Sequence, residues 1–584
     1  MAFRTLLILL GLSILLSLSG CATRQVKPLL SKTTQGDLKQ TYYQMRMTTD
    51  DGITLSFTVY QPALKAGATA PLILHTHGFG LSRMKRPYLS LYGSIMPTGI
   101  GAKDAWKRGY WVISFDQRGH GGHDGTGGKI RLTDPEFEAR DVSRIIDWAE
   151  QNLPQLARHA HGARVGMIGE SYGGAVQYIA AAQDKRIAAI IPVTTWYNLE
   201  YSLAPNGVPK SGWINLLNVL GDWVNWNKFD PAVRQAYQES KQGHISAKTY
   251  SFLNTHQLRW FCDQRQTPKA DALIIQGFRD VLFPFNEGVN AYQCLKNAGQ
   301  DVRLIGMEGG HLQPGVQRAP GLDMPGWYIG KTIRCQNKTY NTQTMIATWF
   351  DSKLKDQTQG LAAIPEVCID HSAASTIQAL QPSVSYALPP IQATAGGGLE
   401  WLFKPADRLR HALTQQLPAQ WQQPQQGGTR PLLVPLTRIT TSHTLTGIPR
   451  LHINIEPQQV TPNQSSPILF VSLARWTPGQ GSYHILNDQV IPVNMGAMQY
   501  RRDMLKQLNI PADDPAQGIE MPAVNAPLKA GDVVGLVISS HSRYYTRSSK
   551  SQVMANIGGS IELPALLPVQ ATMSTAISTT TLAP

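Results

Sequence analysis

The sequence is poor in charge, in cysteine and in long apolar runs, and each shortage narrows the range of proteins that it can encode. Only 16% of its 584 residues are charged. The formal net charge is +14, because 53 lysine and arginine residues exceed 39 aspartate and glutamate residues, but the basic residues form no stripe with interleaved aromatic residues. This argues against a nucleic-acid partner and favours a basic surface near anionic lipid or glycan. The five cysteines include no Cys-x-x-Cys pair, so the spacing typical of a zinc site is missing.

The one long apolar run lies at the N-terminus, between a basic residue and a cysteine. Arg4 precedes an apolar stretch over residues 6–18, which is followed by Ser19-Gly20-Cys21. The stretch is short for a transmembrane helix. It resembles a bacterial lipoprotein signal peptide over residues 1–20, with Cys21 as the lipid-bearing residue and 21–40 as a polar tether. Because Ala22 rather than Asp follows the cysteine, we expect a cell-envelope protein anchored in the outer membrane; a plain secretory signal is the alternative.

The remaining four cysteines indicate disulfides, because an exported protein folds in an oxidising compartment. They are Cys262, Cys294, Cys335 and Cys368. Three connectivities are possible. Closeness in sequence favours Cys262–Cys294 and Cys335–Cys368.

A chain of this length is too long to fold around one hydrophobic core, and changes in its hydrophobic pattern indicate where its domains begin and end. Strands alternate with helices over residues 41–370, which predicts an α/β domain with a parallel sheet. The alternation breaks at about 198–266, where tryptophan, asparagine and leucine are frequent, and we expect an inserted helical cap. Residues 371–430 are rich in Gln, Pro and Ala and are predicted as a linker. Short β-like runs over 431–570 predict a β-sandwich of the jelly-roll type. Residues 571–584 are predicted to form a flexible tail.

Gly169-Glu170-Ser171-Tyr172-Gly173 is the most informative motif of the chain. It follows a short apolar run and opens a helical stretch of small residues, so it predicts a nucleophile elbow between a strand and a helix. The glycines admit a turn that is too tight for side chains. Because a serine hydroxyl is a weak nucleophile without a base, the hypothesis requires a histidine and an acid downstream.

Asp280 and His311 meet that requirement in the expected chain order. Asp280 follows a predicted strand at 272–276, and His311 follows the next one at 302–305. The carboxyl ends of parallel strands share one sheet edge, so we expect Ser171, His311 and Asp280 to form a triad. The backbone N–H groups of Tyr172 and Phe79 are the predicted oxyanion hole.

His75 and His77 alternate along a predicted strand without a nearby carboxylate, which makes them weak candidates for metal ligands. We predict no metal and no cofactor. Asp116 and Arg118 are interpreted as residues that brace the loops around the site.

These motifs together resemble the family of X-Pro dipeptidyl peptidases and cocaine-esterase-like (CocE/NonD) serine hydrolases. The matching segments are Asp116–Gly119, Gly169–Gly174, Gly277–Asp280, Gly310-His311 and, more weakly, Leu445–Pro449, Leu528–Asp532 and Val537–Ser540. The resemblance covers about residues 40–565 and implies an α/β-hydrolase core, a helical cap and a C-terminal jelly roll. Cocaine-esterase-type members use a tyrosine hydroxyl in the oxyanion hole, whereas this chain has His77-Gly78-Phe79, and Tyr88 lies too far along to assign to that role.

The expected function is a serine hydrolase that cleaves a small ester, amide or short peptide through an acyl-enzyme on Ser171. An X-Pro dipeptidyl peptidase is the first alternative, and it needs a carboxylate for the substrate's α-ammonium group. A non-catalytic lipoprotein that binds glycan or has a structural role is the second. The cap offers carboxylates for the first alternative and tryptophans for an apolar pocket: Glu200, Asp222, Asp230, Glu239, Trp213, Trp223 and Trp226.

Overall fold

The computed structural model describes residues 36–225, 228–311, 331–395, 432–457, 468–478, 483–539, 542, 544–545 and 553–568. The predicted signal peptide, Cys21, most of the tether and the C-terminal tail lie outside the described residues. Within those ranges, no helix has the length and apolar character needed to cross a bilayer.

The first domain contains a nine-stranded sheet and two small hairpins. Its strands are β1 (Thr41–Thr48), β2 (Thr54–Gln61), β3 (Leu72–Thr76), β4 (Trp111–Phe115), β5 (Arg158–His159), β6 (Gly162–Ala163), β7 (Val165–Glu170), β8 (Ile187–Val193), β9 (Asp271–Gly277), β10 (Val302–Met307), β11 (Thr332–Cys335), β12 (Lys338–Asn341) and β13 (Val367–Ile369). Its helices are α1 (Pro97–Lys107), α2 (Glu138–Asn152), α3 (Tyr172–Gln183), α4 (Leu199–Leu203), α5 (Ser211–Asn225), α6 (Pro231–Gln242), α7 (Ala247–Thr255), α8 (Leu258–Asp263), α9 (Phe285–Asn297) and α10 (Thr342–Leu354).

The strand order in the large sheet is β1-β2-β4-β3-β7-β8-β9-β10-β13. The first two strands are antiparallel to their neighbours, and the remaining strands are parallel. Strands β3, β4 and β7 are buried along their whole length because helices cover both faces, which explains why apolar residues predominate in them. Strands β7, β9 and β10 thus end at one edge of the sheet, within three strand positions of β7.

The cap lies between β8 and β9 and consists of the five helices α4–α8. A disulfide between Cys262 of α8 and Cys294 of α9 ties the end of the cap to the core. The second disulfide, Cys335–Cys368, joins β11 to β13. This is the pairing that closeness in sequence favours.

The described residues of the second domain form a β-sandwich with one α-helix. Its strands are β14 (Pro382–Ala395), β15 (Leu432–Arg438), β16 (His443–Gly447), β17 (Arg450–Pro457), β18 (Leu469–Trp476), β19 (Tyr483–Ile485), β20 (Ile491–Val493), β21 (Ile519–Glu520), β22 (Val524–Leu528), β23 (Val533–Ser539), β24 (Val553–Pro564) and β25 (Leu566–Pro568), and its helix is α11 (Met495–Gln507). The main sheets run β14-β24-β17-β21 and β15-β23-β18-β19, with β22-β16-β25 beside them. The expected α/β-hydrolase core with a cap and a C-terminal sandwich is confirmed.

Two elements of this domain differ from expectation. Strand β14 lies inside the predicted linker, where it pairs with β24 along most of its length. It is an edge strand with Leu388 as a buried residue, so it shows little apolar alternation, and a register shift accommodates Pro389 and Pro390. Helix α11 was not predicted, because it buries Arg501 and Leu505 and lacks an apolar stripe.

Candidate active site

Ser171 occupies the sharp turn between β7 and α3. Its backbone has φ 55° and ψ −117°, a conformation that non-glycine residues rarely adopt. The chain passes so close to β3 that a Cβ atom at Gly169 would lie 2.5 Å from the carbonyl oxygen of Thr76, and one at Gly173 would lie 2.7 Å from it. Only glycine fits at these two positions, so the motif folds into the predicted elbow and presents the serine at the sheet edge.

The three predicted triad residues come together at this edge. The Oγ atom of Ser171 is 2.8 Å from Nε2 of His311, and Nδ1 of His311 is 2.6 Å from Oδ2 of Asp280. Ser171 is 5% exposed and Asp280 is fully buried. An imidazole held in this way can take a proton from the serine at one nitrogen while the carboxylate orients the other.

The loop after β9 fixes the orientation of Asp280. Its Oδ1 atom accepts hydrogen bonds from the backbone N–H groups of Leu282 (3.0 Å) and Phe283 (2.9 Å). Gly310 has φ 156°, and a Cβ atom there would lie 2.7 Å from Asp280. Glycine before His311 therefore allows the histidine loop to approach the acid.

The two predicted oxyanion donors lie beside the elbow. Tyr172 is the first residue of α3, so its N–H has no acceptor within the helix. The N–H of Phe79 makes no backbone hydrogen bond within the described part of the chain. The Phe79 and Tyr172 rings are in edge contact at 5.5 Å, which places the loop after β3 against the nucleophile turn. Tyr88 is 53% exposed.

Glu170, which sequence reasoning did not single out, holds the loop after β3 that carries Phe79. Its carboxylate accepts hydrogen bonds from the N–H of Gly78 (2.8 Å) and from the hydroxyls of Tyr92 and Thr98. Burial raises the pKa of Glu170. A carboxylate in an otherwise apolar strand, next to the nucleophile, is the signal by which the sequence could have revealed it.

The histidines of β3 and its loop have structural partners. His77 bonds through Nδ1 to the carbonyl of Gly78 (2.8 Å), and its Nε2 accepts the N–H of Gln117 (3.2 Å). Burial lowers the pKa of His75 to about 3. Across the described residues, no cluster of three or more His, Cys, Asp or Glu side chains could hold a metal ion.

Asp116 and Arg118 connect the loops around the site, in line with their interpretation as bracing residues. Asp116 accepts hydrogen bonds from the backbone and guanidinium of Arg83. Arg118 pairs with Asp51 and Asp141.

Aromatic residues surround the serine and histidine. Trp213 of the cap meets the His311 ring at 6.1 Å, and Phe283 meets it at 5.2 Å, both edge to face. Phe79 stacks on Phe229 at 6.1 Å. The side chain of Trp223 and residue Trp226 lie outside the described residues. The described surroundings of the serine are thus largely apolar.

The four cap carboxylates proposed as binders of an α-ammonium group already have partners. Glu200 forms a buried pair with Arg501 (2.6 Å), and Asp222 pairs with Arg234 (2.9 Å). Asp230 caps α6 through the N–H of Ala232 (3.0 Å), and Glu239 accepts from the N–H of Ser246 (2.9 Å). Each is engaged in holding the cap or its neighbours.

A serine elbow, a histidine and an acid at the carboxyl edge of this sheet define the serine hydrolases of the α/β-hydrolase fold, and the chain is a member of that class. Residues 51–313 match the X-Pro dipeptidyl-peptidase family (S15 family). Over these residues, which make up a little under half of the chain, the sequence is similar to that family.

Individual proteins resemble this one over part of the sequence or in the fold. An uncharacterized 31.7 kDa protein of Escherichia coli is 31% identical over 142 residues, which are 24% of this chain and 41% of the relative. The chain therefore spans less than half the length of that relative. Three solved structures share the fold at low identity: a CocE/NonD family hydrolase from Staphylococcus aureus (TM-score 0.60, 13% identity, 94% of this chain and 99% of that one), an aminopeptidase from a Thaumarchaeota archaeon (0.58, 14%, 94% and 99%), and an α-amino acid ester hydrolase (0.55, 15%, 94% and 100%).

Proposed function

We propose that this protein is an acyl hydrolase that cleaves esters, and more slowly amides, through an acyl-enzyme on Ser171. The observation that carries the proposal is the hydrogen-bond chain from Asp280 through His311 to the Ser171 hydroxyl. In this hydrogen-bonded triad, His311 removes the serine proton as Oγ attacks the substrate carbonyl carbon. The N–H groups of Tyr172 and Phe79 stabilise the oxyanion of the tetrahedral intermediate, each contributing about 3 kcal/mol.

His311 then returns the proton to the leaving oxygen or nitrogen, and the bond to the leaving group breaks. A water molecule attacks the acyl-enzyme in the second half of the reaction. His311 takes its proton and passes it to Ser171, which releases the carboxylic acid. Asp280 keeps the imidazole in the tautomer that both half-reactions need.

Modification of the serine tests the catalytic role. A fluorophosphonate probe should label wild-type protein and the Ser94→Ala variant, which removes an exposed serine elsewhere on the surface. Ser171→Ala should not be labelled. Labelling of folded Ser171→Ala at the wild-type level would overturn the proposal, as would absence of labelling in the wild type.

Ester preference rests on the surroundings of the serine, which are aromatic, and on the engagement of all four candidate carboxylates in other pairs. The second candidate, an X-Pro dipeptidyl peptidase, is favoured by the family match over residues 51–313. Hydrolysis of Gly-Pro p-nitroanilide and of p-nitrophenyl butyrate separates the two. We expect kcat/KM for the ester to exceed that for the anilide; the reverse order would establish the peptidase.

We also propose that Cys21 carries a lipid that anchors the protein in the cell envelope, on the strength of the signal-like sequence before it and the two disulfides. The full chain expressed in bacteria fed an alkyne-tagged fatty acid should become labelled and sediment with membranes. Cys21→Ala should lose both properties. Equal labelling of Cys21→Ala would reject the anchor and leave the hydrolase proposal unaffected.

A further inference from the structure

The loop that carries Asp280 runs from β9 to α9, and its backbone carbonyl groups bind side chains from two other parts of the molecule. We propose that Lys210 of the cap and Gln489 of the second domain are positioning residues, which hold this loop so that Asp280 stays against His311. The proposal rests on the catalytic role of the triad. It gives the second domain an indirect part in the reaction, through the position of Asp280.

Gln489 reaches the loop from the sandwich. Its side-chain amide donates to the carbonyl oxygens of Phe278 (2.6 Å) and Asp280 (3.0 Å), and the residue is 4% exposed. The preceding residue, Asp488, pairs with Arg279 (2.9 Å to Nε). One turn of the second domain therefore holds three consecutive residues of the loop, namely Asp280 and the two residues before it.

Lys210 reaches the loop from the cap, immediately before α5. Its ammonium group donates to the carbonyl oxygens of Val281 (2.7 Å) and Leu282 (3.1 Å). These carbonyls share planar peptide units with the N–H groups of Leu282 and Phe283, which hold the Asp280 carboxylate. Lys210 thus binds the carbonyl ends of the two peptide units whose N–H ends bind Asp280. The ammonium group polarises these peptide units, which strengthens the hydrogen bonds from their N–H groups to the carboxylate.

Burying the lysine side chain at this position costs desolvation free energy unless its ammonium group makes compensating hydrogen bonds. Lys210 is 4% exposed, and burial lowers its pKa to about 7, while the nearby Asp280 and Glu287 carboxylates act in the opposite direction. Neutral side chains could fill the same space with less desolvation. The ammonium is therefore best explained by its bonds to the acid loop.

The test compares Gln489→Met, which keeps the length of the side chain, and Lys210→Met, which shortens it by one atom; both remove the donors. Gln499→Met is the control, since Gln499 is an exposed glutamine of the same domain. With p-nitrophenyl butyrate we expect kcat to fall about tenfold to a hundredfold in both variants, the scale of a 1 Å misplacement, with KM changed less than about threefold. Lys210→Arg, which keeps the donors and the charge, should recover most of the activity.

The pH profile of kcat/KM gives a readout that loss of stability alone does not move. A looser contact between Asp280 and His311 stabilises the imidazolium less, so the acidic limb of Gln489→Met should shift to lower pH. Wild-type kcat and an unmoved limb in folded Gln489→Met would overturn the proposal for Gln489. Where Gln489→Met does not fold, Lys210→Met and Lys210→Arg are compared instead. Equal activities of these two variants would overturn the proposal that side-chain donors hold the Asp280 loop. Fluorophosphonate labelling of the wild type reports separately whether the triad itself is active.

Discussion

Glu170 lies one residue before Ser171, is completely buried, and accepts the N–H of Gly78 (2.8 Å) next to Phe79, the proposed oxyanion donor. Its side chain therefore sets where that donor lies. In Glu170→Gln the new amide must turn a donor toward one of the N–H or O–H groups that the carboxylate now accepts. We expect kcat for p-nitrophenyl butyrate to fall about tenfold or more, with a smaller change in KM.

Thr98→Ser is the matched control for that variant, because it keeps the hydroxyl that Glu170 accepts. Its kcat should stay near the wild-type value. An unchanged kcat in Glu170→Gln would show that the loop holds its position without the carboxylate.

Glu138 is a buried carboxyl whose titration affects stability. Burial raises its pKa from its ordinary value of 4.5 to about 8. A raised pKa in the folded state stabilises the protein below the unfolded pKa, and this contribution is lost as the pH rises through the folded pKa. Thermal unfolding should therefore show the melting temperature of the wild type falling between about pH 5 and pH 9.

In Glu138→Gln this fall should be smaller, although both carboxylate oxygens accept backbone N–H groups and the variant starts from a lower melting temperature. Glu136→Gln, at an exposed position two residues away, should keep the wild-type slope. The same slope in Glu138→Gln would assign the pH dependence to another group. Glu287, whose pKa burial raises to about 7, is the next candidate.

At the scale of single elements, the disulfide between α8 and α9 closes a sequence separation of 32 residues. Replacing both Cys262 and Cys294 by serine should lower the free energy of unfolding by about 3 to 4 kcal/mol, because the unfolded chain regains the freedom of that loop. Chemical denaturation of the double variant measures the change. Wild-type protein in which a thiol reagent has reduced both disulfides provides the comparison. Because it lacks both bridges and the double variant lacks only one, its free energy of unfolding should fall further.

Elements with a strong local pattern could be predicted from the sequence, and elements without one could not. Strands such as β4 and β7 are buried over their whole length and, apart from Ser114 and Glu170, contain only apolar residues and glycine; the elbow is marked by glycines that no other residue can replace. Strand β14 and helix α11 each bury few residues, so hydrophobic periodicity does not reveal them.

The same distinction holds for the site. Asp280 and His311 follow strands directly, so strand prediction placed them at the correct edge. Glu170, Lys210 and Gln489 act through contacts with residues distant in sequence. No local pattern records a hydrogen bond between positions separated by 209 residues, as Gln489 and Asp280 are.

At the scale of the whole molecule, the cap and the second domain are joined by a buried ion pair. Arg501 of α11 binds Glu200 of α4 through two hydrogen bonds, of 2.6 and 2.8 Å. Arg501→Met should lower the free energy of unfolding by about 3 to 5 kcal/mol, because Glu200 remains buried without its partner. Denaturant unfolding followed by tryptophan fluorescence measures this loss.

The double variant Glu200→Leu/Arg501→Met separates the cost of an orphaned charge from the value of the pair itself. It should recover most of the lost stability, since two apolar side chains can replace a buried ion pair at little cost. A double variant as unstable as Arg501→Met would instead show that the pair itself holds the cap to the sandwich.

The hydrogen bonds from Gln489 to the Asp280 loop also affect when, during synthesis and folding, hydrolase activity can begin. The loop and its partner are 209 residues apart, so the loop is synthesised, and would be exported, before Gln489 is. During that interval the nucleophile and base already exist, but the acid has no support from the sandwich. A nascent or truncated chain would thus be a poor hydrolase, and activity would begin only once nearly the whole protein has been synthesised and folded.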